Sequence, residues 1–357
     1  MQFTFAIASD LHIALPHTIW DHPSRFHLVE YSIPAFEQVL AHLGQLPLDF
    51  LLLPGDLTQH GEPDNHYWLA QRLRDLPYPV YVIPGNHDVP TPASLENFAP
   101  HYTQFGLTEG KTNPNKLYYA CEIHPGVRLI GLNSNQFDDN GELYGAVDQQ
   151  QMHWLRQILK QQNYDETIVM IHHNVLEHIH DQSRNGLGVR YMLNNAAELC
   201  NVLQGSGIKL IFTGHLHVQD VAYSAKYDLY DITTGSMVSY PHPYRVLKYE
   251  AKGTMKSLAI ESFRVGAIPE QPDLLTFSRE WMGDRSHPFM LRLLTKAPLF
   301  LSPEDATSLT PSLRYFWADI ADGDAKFSFP NFPAAARAYF EAFSDAGPAD
   351  NQVILQW

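Results

Sequence analysis

Short apolar runs alternate with stretches of helical periodicity over the first part of the chain. Residues 3–9, 49–53 and 80–83 read as buried strands. Between them, residues 32–43 predict a helix with Pro34 in its first turn. A second helix opens at Gly61-Glu62-Pro63, with Tyr67, Leu69, Leu73 and Leu76 near one face. This β-α-β-α-β order is the mark of a layered α/β sheet.

The texture then changes. Residues 117–122 and 127–133 predict paired strands around the His124-Pro125-Gly126 turn. A helix is expected over 148–161, with Met152, Leu155 and Ile158 on one face, followed by a strand over 167–171. A His-, Asn- and Gly-rich loop runs to about residue 188, then a helix over 189–203 and a strand over 208–212. Strand-like runs follow at 220–223, 229–234, 245–249 and 257–263. Beyond about Val265 the pattern turns helical. Ser302-Pro303-Glu304-Asp305 is a helix start, and two stripes stand out: Leu313, Phe316, Trp317 and Ile320, then Phe332, Ala335, Ala336, Tyr339 and Phe343. Residues 1–264 are therefore expected to form the main domain. Residues 265–357 would be a mostly helical C-terminal extension serving as lid, dimerisation element or packing.

The ends of the predicted strands carry a common cargo. They deliver Asp10 and His12, Asp56, Asn86 and His87, His172, and His215 and His217. Asp10 and His12, two apart in extended chain, point to one side. Open α/β sheets place ligands at such strand ends. Oxygen donors and imidazoles without thiolates suit Mn, Fe, Zn, Ni or Co in a hydrolytic ion pair better than a structural zinc. Seven ligands serve two ions if one carboxylate bridges, and such a pair clamps phosphoryl oxygens.

Composition narrows the partners. A net charge of −15 excludes the basic footprint that a nucleic-acid polymer or an anionic membrane needs. Bound cations would reverse that sign locally for a small phosphorylated substrate. Cys121 and Cys200 are too few and too far apart for a disulfide framework. The N-terminus lacks the basic start of a signal peptide, and no apolar run is long enough to span a bilayer. A cytoplasmic protein is the expectation. Histidine is over-represented, with 19 copies against 39 acidic residues; surface drift and imidazole ligation both account for that, and position along the chain decides between them.

Taken in order, Asp10-x-His12, Gly55-Asp56, Gly85-Asn86-His87-Asp88, His172-His173 and Gly214-His215-x-His217 closely resemble the calcineurin-like metallophosphoesterases over about residues 1–262. Within that superfamily, Gly55-Asp56-Leu57-Thr58-x-x-Gly61-Glu62-Pro63 is most similar to the bacterial class III cyclic-nucleotide phosphodiesterases. The resemblance implies a four-layer α/β/β/α sandwich of two mixed sheets. It implies Asp10, His12 and His217 on a first metal, Asn86, His172 and His215 on a second, and Asp56 bridging. His87 would face the substrate as the catalytic histidine, and the nucleophile would be a metal-bridging hydroxide. The family often shows prolines after the paired histidines, whereas Asn174-Val175 stand here, so the pocket wall is expected to differ.

Other residues have plainer readings. His173 is expected to be structural, and His17, His22, His60, His178, His180 and His242 are expected to be solvated loop histidines. Arg245 is a candidate substrate contact, with loop rigidity from the neighbouring prolines an equal account. The C-terminal aromatic stripes read as core or subunit interface in a possible homodimer rather than as a base-stacking platform. The expected activity is hydrolysis of a small phosphodiester, with 3′,5′-cyclic nucleotides leading. The rivals are a phosphomonoesterase or a phosphodiesterase on other nucleotides or glycerophosphodiesters, and then a non-catalytic scaffold on the same fold.

Overall fold

The computed structural model describes residues 1–20, 25–107, 117–161, 163–345 and 347–357. Its first half runs β1 (Gln2–Ile7), α1 (Ser32–Leu43), β2 (Phe50–Leu53), α2 (Pro63–Arg74), β3 (Val80–Val82), α3 (Leu95–Tyr102), β4 (Tyr119–His124), β5 (Val127–Gly131), β6 (Asn135–Phe137), β7 (Leu143–Gly145), α4 (Gln149–Ile158) and β8 (Glu166–Met170). Then come α5 (Ala196–Gln204), β9 (Leu210–Thr213), β10 (Asp220–Ser224), β11 (Leu229–Thr233), β12 (Pro243–Lys252) and β13 (Met255–Arg264). The chain ends with α6 (Leu274–Thr295), α7 (Pro303–Leu309), α8 (Phe316–Asp322), α9 (Ala334–Glu341) and β14 (Gln352–Gln356).

Two mixed six-stranded sheets result. One has the order β14-β13-β12-β1-β2-β3, and the other β10-β11-β9-β8-β5-β4. In the first, β1, β2 and β3 are parallel and β12 runs antiparallel to β1. In the second, β11, β9, β8 and β5 are parallel, with antiparallel edges. Side chains alternate across each strand, and the second sheet shows the consequence. Ile168, Met170, Leu210 and Phe212 join the core shared with Phe5 and Phe50 of the first sheet. Their neighbours Val169, Ile171 and Ile211 face outward onto Met152, Leu155 and Ile158 of α4 and Leu199 and Leu203 of α5. Phe5 and Phe212 meet edge-on across the sheets at 5.6 Å. With α1 and α2 on the opposite side, the fold is the α/β/β/α sandwich.

Several details depart from the sequence expectations. Tyr67 is 62% exposed. The buried stripe of α2 is instead Asn65, His66, Leu69, Ala70 and Leu73, a helical spacing that puts Tyr67 on the far side. The expected helix over 189–203 is a short 3-10 turn, Val189–Tyr191, and then α5, with Asn195 before the first helical residue. Likewise, Ala335 is exposed and Tyr339 only partly buried, because the inner face of α9 is Ala336 and Phe340, continuing to Phe343.

After Val265 the chain is helical, but it closes with β14, which pairs antiparallel with β13 at the edge of the first sheet. Leu313, Phe316, Ile320, Phe332, Ala336, Phe340 and Phe343 form a core of their own with Met290 and Leu294 of α6. Ile179 and Leu187 from the His-rich loop, and Leu216 and Val218 beside the last strand-end histidines, belong to that same core. Each buried side chain of this size contributes about 1.5–3 kcal/mol. The extension is thus anchored next to the strand ends that carry the candidate site. Among the described residues, no helix is long and apolar enough to cross a membrane.

Candidate metal centre

Each turn after β1, β2 and β9 leaves the extended region. Asp10 (φ 52°), His12 (φ 42°), Asp56 (φ 50°), His215 (φ 68°) and His217 (φ 61°) all have left-handed backbones. Such conformations are uncommon outside glycine and cluster at functional sites. They double the chain back so that successive side chains converge on one cleft.

Two glycines make room for this convergence. A Cβ on Gly85 would run into the Asp56 amide and carboxylate, and one on Gly214 would meet Ser9 and Asp10. Asp88 ties the turns together. Its Oδ2 accepts from Leu57 N at 3.0 Å and Gly85 N at 2.9 Å, and its Oδ1 accepts from Thr58 N at 2.9 Å and Thr58 Oγ1 at 3.0 Å. Burial and the nearby Asp56 charge push the Asp88 carboxyl up to about 7, while these donors pull it down. Asn174 fastens the next two strand ends, donating to Thr213 Oγ1 at 3.0 Å, Gly214 O at 3.2 Å and Thr233 Oγ1 at 3.3 Å.

The structure brings all eight sequence-derived residues together. One donor atom each of Asp10, His12, Asp56 and His217 lie within 4.8 Å of one another, and Asp56, His172 and His215 form a second such set. His217 Nε2 lies 3.0 Å from Asp10 Oδ1, and His172 Nε2 lies 3.1 Å from Asn86 Oδ1. These are the separations expected of two neighbouring ligands on one octahedral ion with bonds of about 2.1 Å. His172 Nδ1 donates to Pro54 O at 2.8 Å, which turns Nε2 into the cleft. Asp56 Oδ2 stands between His172 Nε2 at 3.4 Å and His12 Nε2 at 3.7 Å. Asp56 Oδ2 and both ring nitrogens of His12 are buried without hydrogen-bond partners. A buried carboxylate oxygen and a buried imidazole lone pair without partners are costly unless a cation takes them, so the donor set fits a pair of metal ions.

The electrostatics of the protein groups agree with this. Burial raises the Asp56 carboxyl, but His172 and His87 outweigh it and hold it well below the carboxylate range. Burial lowers His172, yet the Asp56 charge lifts it to about 9, the mark of a position that favours positive charge. Burial, with neighbouring imidazoles, holds His12 and His215 well below the usual histidine range.

His87 differs from the rest. Its amide donates to Asp56 Oδ1 at 2.8 Å and its Nδ1 donates to Gln59 O at 2.7 Å, leaving Nε2 toward the cleft. His60 stacks on its ring at 5.0 Å, a neighbour that the solvated-loop expectation for His60 did not include. His173 bonds Ser134 Oγ through Nδ1 at 2.8 Å and packs on the His215 ring at 4.3 Å.

Three expectations are overturned. The His178 side chain is buried rather than solvated, held between Asp220 at 2.7 Å and Asp231 at 3.3 Å. His242 is also buried, with Nδ1 bonded to Met237 O at 2.9 Å. Arg245 is fully buried and donates to Thr233 O and Asp220 O, so the register of β12 points it into the core and away from substrate. His17 and His180 are solvated as expected, and His22 lies outside the described residues.

Sequence reasoning missed four contributors. His27 stands within the site, its ring 4.5 Å from that of His12 and 4.8 Å from that of His217. Tyr144 on the β6–β7 hairpin, and Arg190 and Tyr191 on the 3-10 turn, line a cleft of about 340 Å³ with the candidate ligands. A second cavity of about 190 Å³ adjoins at His27 and His217 and is walled by Arg190, Tyr191, Phe289, Arg292 and Trp317. None of the four falls in a motif or at a predicted strand end.

Strand-end carboxylates, amides and imidazoles around paired cation positions in a two-sheet sandwich define a metallophosphoesterase architecture. The profile of the family "Calcineurin-like phosphoesterase" matches residues 3–219, and the chain belongs to that family. Among curated proteins it is similar to a "Probable glycerophosphodiester phosphodiesterase" of Arcobacter nitrofigilis, 29% identical over 35% of this chain and 41% of the relative. A "Probable cyclic nucleotide phosphodiesterase" of Rhodococcus erythropolis is 30% identical over 49% of this chain and 53% of the relative. A 3′,5′-cyclic-nucleotide phosphodiesterase of Nostoc is 28% identical over 62% of this chain and 80% of the relative. The chain spans about half the length of the first two relatives. In fold it resembles a dimetal phosphatase from Danio rerio, with a TM-score of 0.53 at 14% identity over 72% of this chain and 95% of that one.

Proposed function

We propose that this chain hydrolyses a small phosphodiester with two divalent transition-metal ions, and that 3′,5′-cyclic nucleotides are the leading substrates. The observation that carries the metal reading is the unpartnered Asp56 Oδ2 between His12 and His172, the place of a bridging ligand. Asp10, His12 and His217 would hold one ion, and Asn86, His172 and His215 the other. When bound, the ions polarise phosphoryl oxygens and lower the pKa of water. His87 is assigned the substrate side: its Nδ1–H is fixed on Gln59 O, so Nε2 can stabilise the phosphoryl group or pass a proton to the departing alkoxide.

A diester is favoured over a monoester by the second cavity. It gives the arm beyond the scissile phosphate a place among Tyr191, Phe289 and Trp317, with the Arg190 and Arg292 cations beside it. Residues 265–357 would then be a wall of the substrate site, with Trp317 turned to a substrate role that the stripe pattern did not suggest. The relatives, named as phosphodiesterases of cyclic nucleotides and of glycerophosphodiesters, are in keeping with a diester.

The test is a substrate panel on manganese-loaded protein: cyclic AMP, cyclic GMP, 2′,3′-cyclic nucleotides, bis-para-nitrophenyl phosphate and para-nitrophenyl phosphate. Efficient turnover of a 3′,5′-cyclic nucleotide is expected. Preference for the monoester overturns the diester reading, and no turnover of any ester by a protein holding two ions overturns the enzyme reading.

A further inference from the structure

The seven strand-end ligands leave His27 unexplained. It does not sit on a strand end, and no motif selects it. It lies in the connection between β1 and α1, on a segment held from both sides. The Phe26 carbonyl accepts from Trp281 Nε1 of α6 at 3.2 Å, and the Leu28 amide donates to Val238 O at 2.7 Å. Tyr31 meets Phe277 of α6 edge-on at 5.9 Å. The helical extension and the segment before β12 therefore fix where His27 stands.

Its surroundings are those of a ligand. One ring nitrogen each of His12, His27 and His217 lie within 4.8 Å of one another. Nitrogens at about 2.1 Å from a common ion are separated by about 3.0 Å when adjacent and about 4.2 Å when opposite. The set is compatible with one ion. Both nitrogens of His12 have no hydrogen-bond partner. The His87 ring is farther from His27, at 6.0 Å, so His27 belongs to the His12 and His217 side of the cleft.

We propose that His27 is an additional protein ligand of the first ion, beside Asp10, His12, His217 and the bridging Asp56. This inference rests on the dinuclear reading above. The protein would then offer the first ion three imidazoles and two carboxylates, more protein donors than it would offer the second. Imidazole enrichment favours Zn, Ni, Co or Fe over Mn at the first ion. Because Trp281 positions Phe26, the C-terminal extension sets the coordination of a metal bound by the catalytic sheets.

The experiment is stepwise cobalt and zinc titration of chelator-stripped full-length protein against a competing chromophoric chelator, for the unsubstituted chain, His27→Ala and His27→Gln. The unsubstituted chain should take up two ions. Both variants should keep one site at its original affinity, which also reports that they have folded, and lose at least about tenfold at the other. Even groups that only orient a metal ligand cost about 10–100-fold when removed. The cobalt absorption spectrum of the weakened site should change with the loss of one nitrogen donor. Unchanged affinities at both sites, with a raised KM for a phosphodiester, would assign His27 to substrate instead and overturn the proposal. Failure of the unsubstituted chain to bind two ions would overturn the dinuclear reading, and His27 as a ligand with it.

Discussion

Asp88→Asn tests whether the clamp beneath the metal centre is structural or incidental. The two oxygens of Asp88 accept from four donors, an arrangement that favours the ionised carboxylate against the burial and the Asp56 charge that raise it. An asparagine can keep its oxygen toward Leu57 N and Gly85 N and turn its NH2 toward Thr58. The Thr58 hydroxyl can rotate to accept, but the Thr58 amide is left facing a donor. One buried orphan N–H costs about 1–3 kcal/mol, and losing the charge on the remaining bonds adds about 1 kcal/mol, for about 2–4 kcal/mol in all. In a chain this large that is a fall of about 3–5 °C in Tm. Leu57 and Thr58 follow Asp56, and Gly85 precedes Asn86, so the same loosening should reach the ions, with affinity falling about tenfold or more. Calorimetry of the chelated protein reads the first effect, and competition titration of the loaded protein reads the second. A Tm within about 1 °C of the unsubstituted chain, with ion affinity intact, would refute the clamp argument.

His87→Ala should lower kcat by about 10²–10⁴ with two ions still bound, as expected for a group that moves a proton rather than holds metal; near-normal kcat would remove His87 from the chemistry. Trp317→Ala should raise KM for a cyclic nucleotide roughly 5–100-fold, the range of a lost base–aromatic stack, while para-nitrophenyl phosphate is unaffected; equal effects on both would return Trp317 to the packing role. For His178, burial lowers the imidazole but Asp231 and Asp220 lift it to about 10 in the folded chain. Its folded value lies above its unfolded one, so its stabilisation is complete below about pH 6.5 and is lost as pH rises toward 10. Urea unfolding at pH 6 and pH 9 should therefore show a loss of stability that His178→Gln removes; the same pH slope in both proteins would place the titration elsewhere.

The parts of the site legible in the sequence are those a strand delivers locally. Asp10, His12, Asp56, Asn86, His172, His215 and His217 each follow an apolar run within a few residues, and a parallel sheet lines up such ends without further instruction. His27, Tyr144, Arg190 and Tyr191 were not legible, because His27 depends on a loop packed against α6, and Arg190 and Tyr191 on a turn packed against the β6–β7 hairpin that carries Tyr144. No periodicity encodes those contacts. Arg245 shows the converse failure: a cation next to a Pro-rich turn looked available to substrate. The antiparallel register of β12 against β1, Ile7 opposite Arg245, turns it inward. The closing strand β14 escaped notice because Gln352–Gln356 is short and lies at a sheet edge.

Five of the proposed ligands hold backbone conformations that glycine would adopt more cheaply, at about 1 kcal/mol each, for about 5 kcal/mol together. That is comparable with the whole net stability of many folded domains. Ion binding to the folded chain offsets this by mass action. Metal supply would then govern the lifetime of the protein as well as its activity. Chains synthesised where the ions are scarce would open more often, be cut sooner by proteases and reach a lower steady-state abundance, so a shortage of metal would lower the amount of protein as well as the activity of each chain.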